Sequence, residues 1–149
     1  MTHLILGGND IGDSGVEALA RALQSPATQL SCLNLEEGHL ITSLGVEALA
    51  RALQTNRSLT HLNLAGSIRF YSATALVRAL QSNRTLTHLD LSSNYASDSE
   101  AVVLGKTLRD QNNTLAYLNL SQNKIGATGK AKLELVDQNR CYIYLGRQR

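Results

Sequence analysis

Tryptophan is absent from this 149-residue chain, and phenylalanine and proline occur once each. With aromatics at 4% against 43% hydrophobic residues, the interior has to be assembled from leucine, isoleucine, valine and alanine, in regular layers rather than around large rings. Cys32 and Cys141 are the only cysteines and lie far apart in sequence, which excludes a disulfide framework and suits free thiols in a reducing compartment. No apolar run approaches the roughly 18 residues of a membrane span, and Met1 leads into structure without a basic-then-apolar signal segment. A cytoplasmic, intracellular protein is expected. Charge is scarce too: 14 basic and 12 acidic residues leave +2, too weak a field to argue for nucleic acid or an anionic membrane. The length fits one domain, 1–149.

What the chain does have is repetition. The segment GVEALARALQ occurs at 15–24 and again, letter for letter, at 45–54. Aligned on L-x-L, equivalent leucines fall at Leu4/Leu6, Leu33/Leu35, Leu62/Leu64, Leu89/Leu91 and Leu118/Leu120, and Ile143/Leu145 open a sixth, truncated unit. Units of about 1–29, 30–58, 59–85, 86–114 and 115–139 follow, with a closing strand in 140–149. Within a unit the period changes. LTHLNL (59–64) and LTHLDL (86–91) alternate apolar and polar residues as a half-buried strand does. Val16, Leu19, Ala20 and Leu23 then recur at helical spacing, as do Val46, Leu49, Ala50 and Leu53. Glu17/Arg21 and Glu47/Arg51 are acid-before-base pairs on the exposed helix face. Neither element buries its apolar face alone, so units must stack in parallel phase. Strands need about 4.8 Å of spacing and helices about 8–10 Å, so the stack bends into an α/β solenoid with a concave strand face and a convex helix face.

The run L-x-x-L-x-L-x-x-N, in LTHLDLSSN (86–94), LAYLNLSQN (115–123) and part of LILGGN (4–9), resembles the leucine-rich repeat of the ribonuclease-inhibitor type. Similar repeats occur in intracellular nucleotide-binding innate sensors and in the activator of the Ran GTPase. The resemblance implies a horseshoe arc that grips a protein partner and has no catalytic activity. It also implies a ladder of side-chain bonds at the Asn position, kept at Asn9, Asn94 and Asn123 but replaced by Gly38 and Ser67. Irregular turns are therefore expected at 36–42 and 65–71, the latter carrying Arg69, Phe70 and Tyr71 as either core filling or a binding knuckle.

Residues flanking the strand leucines point into the concave face. One column reads His3, Cys32, His61, His88, Tyr117 and Tyr142; a second reads Ile5, Asn34, Asn63, Asp90, Asn119 and Tyr144; a third contains Gly7, Glu36, Ala65, Ser92, Ser121 and Gly146. The candidate partner-binding set is Cys32, Asn34, Glu36, His61, Asn63, His88, Asp90, Tyr117, Asn119, Tyr142 and Tyr144, with the tyrosine-rich end as the hot spot. The histidines also give a route to pH-dependent binding.

Other chemistries fit less well. A line of His3, Cys32, His61 and His88 at about 5 Å steps does not surround one zinc ion tetrahedrally, and duplication of T-H-L explains it without metal. His88, Asp90 and Ser92 lie in parallel on an open face, with no oxyanion site, so they make no hydrolase triad. GATGK (126–130) lacks the first glycine and the Ser/Thr of a phosphate loop, and Gly15, Gly45 and Gly129 sit at one phase of the repeat, where a helix begins. The matches to the glycosylation pattern at Asn56, Asn83, Asn112 and Asn119 read as coincidence, the first three being one repeat boundary seen three times. No cofactor or metal is expected. Two alternatives to a partner-binding module remain: a regulator of a small GTPase, and a structural segment of a larger repeat protein. The second rests on Met1 standing where a repeat leucine belongs, with self-association through the uncapped first strand as its consequence.

Overall fold

The computed structural model describes residues 1–38, 40–68 and 73–149. Among them six strands alternate with five helices: β1 His3–Ile5, α1 Asp13–Gln24, β2 Cys32–Asn34, α2 Ser43–Thr55, β3 His61–Asn63, α3 Ala73–Ser82, β4 His88–Asp90, α4 Asp98–Asp110, β5 Tyr117–Asn119, α5 Ala127–Leu133 and β6 Tyr142–Tyr144. The strands form one open parallel sheet in sequence order. Each pairs with the next without slippage, so that Leu4, Leu33, Leu62, Leu89, Leu118 and Ile143 share a row. Among the described residues no helix is long and apolar enough to cross a membrane.

The core is continuous from unit to unit. Leu33, Leu62, Leu89 and Leu118 are buried under the sheet beside Leu35, Leu64, Leu91 and Leu120, and meet Val46, Leu49 and Leu53 of α2 and Leu76 and Leu80 of α3. Three-residue strands contribute few backbone bonds, so the holding force is this apolar layer, shared across every unit boundary.

Two polar ladders close the turns. Asn94 donates through Nδ2 to the Leu64 carbonyl (2.8 Å) and accepts the Ile68 N–H at Oδ1 (2.9 Å). Asn123 repeats this one unit on, donating to the Leu91 carbonyl (3.0 Å) and accepting from Asn94 N–H (3.0 Å) and Ala96 N–H (2.8 Å). Both are fully buried, where an unpaired amide would be costly. Ser67 keeps the ladder that its identity had put in doubt, because its hydroxyl donates to the Leu35 carbonyl and accepts from Gly38 N–H (3.0 Å). The second turn is irregular, as expected. Gly38 has no side chain to offer the ladder, and Ile41 bridges Ile68 in parallel, while the positive φ of Glu37 (56°) is the regular one of this phase, shared by Gly8, Gly66, Ser93 and Gln122. Arg69, Phe70 and Tyr71 lie outside the described residues.

The second ladder accounts for the repeated Asn-x-Ser/Thr. Buried Asn56, Asn83 and Asn112 donate to the Leu23 (2.8 Å), Leu53 (2.7 Å) and Leu80 (2.7 Å) carbonyls of the preceding helix. Each Oδ1 in turn accepts the N–H of the leucine three residues on. These side chains tie each helix end to the next strand start, and none is presented to a glycosyl donor. Arg140 takes over at the last boundary, reaching the Leu108 and Asn112 carbonyls.

Glycines at the helix starts have a steric cause. Asp13 accepts N–H bonds from Thr42 (2.8 Å) and Gly45 (3.0 Å), and Asp98 from Gly126 (2.7 Å) and Gly129 (3.0 Å). A Cβ at Gly45 or Gly129 would stand 2.6 Å from the aspartate oxygen. In GATGK the anion held by the amides is thus the protein's own carboxylate.

Candidate functional site

The exposed face of the sheet carries the first two columns in register, His3–Cys32–His61–His88–Tyr117–Tyr142 and Ile5–Asn34–Asn63–Asp90–Asn119–Tyr144. The rings of the first column form a continuous pile. His61 and His88 stack with centroids 4.1 Å apart and planes within 8°; His88 and Tyr117 follow at 5.9 Å, then Tyr117 and Tyr142 at 6.0 Å, both at 26°. Parallel register forces this, because identical side-chain directions on strands one spacing apart leave rings no alternative to overlap.

The T-H-L motif sets the imidazoles further. Thr60 and Thr87 hydroxyls donate to the Ser31 (3.0 Å) and Thr60 (3.1 Å) carbonyls, so each oxygen is left as acceptor toward the next residue's ring, His61 Nδ1 at 2.8 Å and His88 Nδ1 at 2.9 Å. The network assigns the neutral rings as Nδ1–H tautomers with Nε2 turned outward as acceptors. Burial, then repulsion from His88 and His3, holds the His61 pKa below its ordinary value. Burial and the neighbouring Asp90, Tyr142 and Tyr144 raise that of Tyr117.

The second column has two tasks. Asn34, Asn63, Asp90 and Asn119 each turn a side-chain oxygen onto the N–H two residues ahead, of Glu36, Ala65, Ser92 and Ser121 respectively, at 2.8–3.0 Å. These bonds end the strands. The amides then link rungs: Asn63 donates to Glu36 (2.8 Å) and Asn119 to Asp90 (2.8 Å). Both carboxylates are therefore held in fixed rotamers. Ser92 donates to Asp90 (2.7 Å), while His88 is engaged with Thr87, so the three do not form the Ser–His–Asp relay of a hydrolase triad. Gly7 leaves room for Glu36, since a Cβ there would stand 2.6 Å from Glu36 Cγ.

Tyr142 and Tyr144 stand half-exposed at the C-terminal end. The Tyr144 ring rests on Gly146, whose φ of 39° and crowding against Ser121 and Tyr144 leave no place for a side chain. Cys32, half-buried between His3 and His61, is a free thiol; Cys141 is buried beneath the sheet, its thiol pushed up to about 11 by that burial. Among the described residues no cluster of three or more His, Cys, Asp or Glu is arranged to hold a metal ion. The convex pairs are loose: Arg21 and Glu17 are 3.9 Å apart, and Glu47 with Arg51, which spacing alone would pair, forms no ion pair. The Asn56–Asn83–Asn112 ladder and the aspartate staples escaped sequence reasoning as functional parts of the frame, although Asn at one phase of three consecutive boundaries was the signal.

Comparison with known proteins places this geometry among relatives. The leucine rich repeat family model matches residues 1–20, 82–94 and 111–133. Rat NACHT, LRR and PYD domains-containing protein 3 is 29% identical over 145 residues, covering 96% of this chain and 14% of that protein. Human NACHT, LRR and PYD domains-containing protein 14 is 39% identical over 67 residues, covering 45% of this chain and 6% of that protein. The chain therefore corresponds to a small part of the length of these relatives. The solved structure of leiomodin-1 actin-binding site 2 shares the fold, with a TM-score of 0.75 at 24% identity, over 90% of this chain and 77% of that one.

Proposed function

Because the chain is a leucine-rich repeat protein, and such repeats generally mediate protein–protein interaction, we propose that it binds a protein partner on its concave sheet face, without catalysing a reaction. The observation that carries this reading is the uninterrupted His61–His88–Tyr117–Tyr142 pile on an exposed sheet face. Rings already stacked on one another lose little freedom when a partner covers them, which is how tyrosine-rich surfaces give affinity. Variation supports the same face: α1 and α2 repeat Glu17/Arg21 as Glu47/Arg51 outside, whereas the inner columns change at most rungs. Asn34, Asn63, Asp90, Asn119 and Glu36 supply polar contacts from groups the fold has already oriented.

A photo-crosslinking residue at position 88, compared with one at position 51, tests this. Position 88 should capture a partner that position 51 does not. Replacing Tyr117 and Tyr144 by Ala should weaken that binding by roughly 2 kcal/mol, or about 30-fold, with the fold intact, while Arg21→Ala with Arg51→Ala should leave it unchanged. Normal binding by the tyrosine variants would sink the concave assignment.

A second reading has its own observation. Met1, Leu4, Leu19, Leu23 and Leu30 line an apolar hollow of about 330 Å³ at the first unit, a surface shaped to stack another repeat or a second copy. Light scattering over a concentration series should then show association that Leu19→Glu abolishes.

A further inference from the structure

The concave face differs in charge from the rest of the molecule. Its three columns contain Glu36 and Asp90 and no lysine or arginine, although the whole chain carries +2. Among the described residues neither carboxylate has a cation within ion-pair distance; the ion pairs are Glu17–Arg21 and Arg109–Asp110, both on helices. Basic residues are gathered outside and uncompensated acid is left inside.

Asp90 is the better placed of the two. Its Oδ1 accepts from the Ser92 N–H and hydroxyl and its Oδ2 from Asn119 Nδ2, which uses three of about four lone-pair positions and leaves one on Oδ2. Tyr117 lies on the next strand, and Tyr144 closes the row Asp90–Asn119–Tyr144 one strand further on; the Tyr117 phenol feels Asp90, Tyr142 and Tyr144 together. Tyr117 is stacked on both faces, between His88 and Tyr142, and serves as a support; the open ring surface is that of Tyr142, last in the pile, and of Tyr144, whose ring meets Gly146, both half-exposed. A fixed carboxylate with a spare acceptor position, beside half-exposed aromatic faces, matches the two needs of a guanidinium: a plane to lie on and an oxygen at its edge. Lysine meets only the second need, and an acidic side chain meets neither.

We propose that the C-terminal end of the concave face, Asp90 with Tyr117, Tyr142 and Tyr144, is a site for an arginine side chain of the protein partner. This rests on the concave-face reading and adds the chemistry of what is bound. The Asn119 and Ser92 bonds act as positioning contacts that fix Asp90 before the arginine arrives, and Glu36, held by Asn63 two strands away, offers a second acidic point for a basic segment running along the sheet.

The test uses the full chain and a defined probe, the peptide acetyl-Gly-Arg-Gly-Arg-Gly-amide, against its citrulline counterpart, which keeps the shape and loses the charge. Ring signals of Tyr117, Tyr142, Tyr144 and His88 are followed by NMR. The arginine peptide should move them saturably and at least ten-fold more tightly than the citrulline peptide, and Asp90→Asn should lower its affinity about ten-fold. Tyr142→Leu, which leaves the Asp90 network intact, should also weaken it several-fold, so the result does not hang on one variant's folding. Equal binding of the two peptides, shifts confined to α1–α4, or Asp90→Asn binding as the parent does would each overturn the arginine site. If crosslinking from position 88 still captures a partner while the arginine peptide is ignored, this inference alone fails; if position 88 captures nothing and the peptide binds at the tyrosines, the arginine site stands and the whole-partner reading fails.

Discussion

Helices α1 and α2 share ten consecutive letters, GVEALARALQ, and live in different surroundings. In α1 only Val16, Ala20 and Leu23 are buried; Ala18 and Ala22 are exposed and Leu19 is half-covered. In α2 the matching Ala48, Leu49 and Ala52 are all buried, and Gly45 as well. Nothing local distinguishes the two segments. α2 lies between α1 and α3, whereas α1 has a helix on one side alone in this chain. Burial here is a property of position in the stack, and the energy of a unit is divided between its own packing and two interfaces.

The sharpest way to break that comparison is to delete the same side chain twice. Leu49→Ala should cost roughly 2–5 kcal/mol, the range for a leucine removed from a closed core, and Leu19→Ala roughly 1 kcal/mol, because its site is already half open. Leu62→Ala, at the middle strand, belongs with Leu49. Urea unfolding of the three variants measures this. Equal costs for Leu19 and Leu49 would mean that the units are stable by themselves and that stacking adds little.

The polar ladder allows a second pairing of like residues. Asn94→Ala strips the Leu64 carbonyl and the Ile68 N–H of their partner in a place without water, so a loss of about 1–3 kcal/mol is expected. Asn9 bonds only the Leu6 and Gly7 carbonyls of its own turn, in the open, and its replacement by alanine should cost a few tenths of a kcal/mol. Chemical denaturation of both variants against the parent gives the answer.

Staples at the helix starts come next in size. Asp13→Ala removes bonds from Thr42 N–H, Thr42 Oγ1 and Gly45 N–H, which satisfy the first turn of α2 from the preceding unit. A loss of about 1 kcal/mol is expected, as for other helix caps, with hydrogen exchange speeding at Gly45 before it does in α3. Unchanged exchange at Gly45 would leave Thr42, the helix's own cap, as the whole of its N-terminal support.

Much of this frame was legible because repetition converts phase into structure. Once Leu33, Leu62, Leu89 and Leu118 are aligned, strand register, parallel sense and the two inner columns follow without further information. What could not be read was where one side chain answers two needs. Asn63 and Asn119 looked like free polar groups for a partner, and the fold uses their oxygens to end a strand and their amides to fix a carboxylate. Ser67 looked like a break in a ladder that a hydroxyl is just long enough to continue. Such roles depend on distances of a few tenths of an ångström across neighbouring units, and periodicity has no access to them. Burial of α1 was equally hidden, since its letters are those of α2.

The smallest effect expected concerns the imidazole pile, and its sign follows from the direction of one shift. His61, desolvated and facing His88 and His3, binds its proton less readily than the ordinary value of 6.5 implies. In the unfolded chain that ordinary value returns. Just below it the unfolded state therefore carries more protons than the folded one, so stability falls as the pH drops through this window and is unaffected well above it. The facing groups on the packed strands are Cys32 and His3 on one side and His88 and Tyr117 on the other, with Glu36 and Asp90 in the outer columns. His61→Gln keeps a polar side chain and removes the titration, so its urea midpoint should fall less between pH 7.5 and pH 5.5 than that of the parent. His88→Gln should act the same way, by relieving the repulsion rather than the desolvation, and more weakly. Ring exposure on the open face limits the size of both, since solvent screens what a buried pair would feel in full. A parent protein whose midpoint falls no more than that of His61→Gln over this range would show that the 4.1 Å stack tolerates a second charge, and would remove acid sensitivity from the properties of this face.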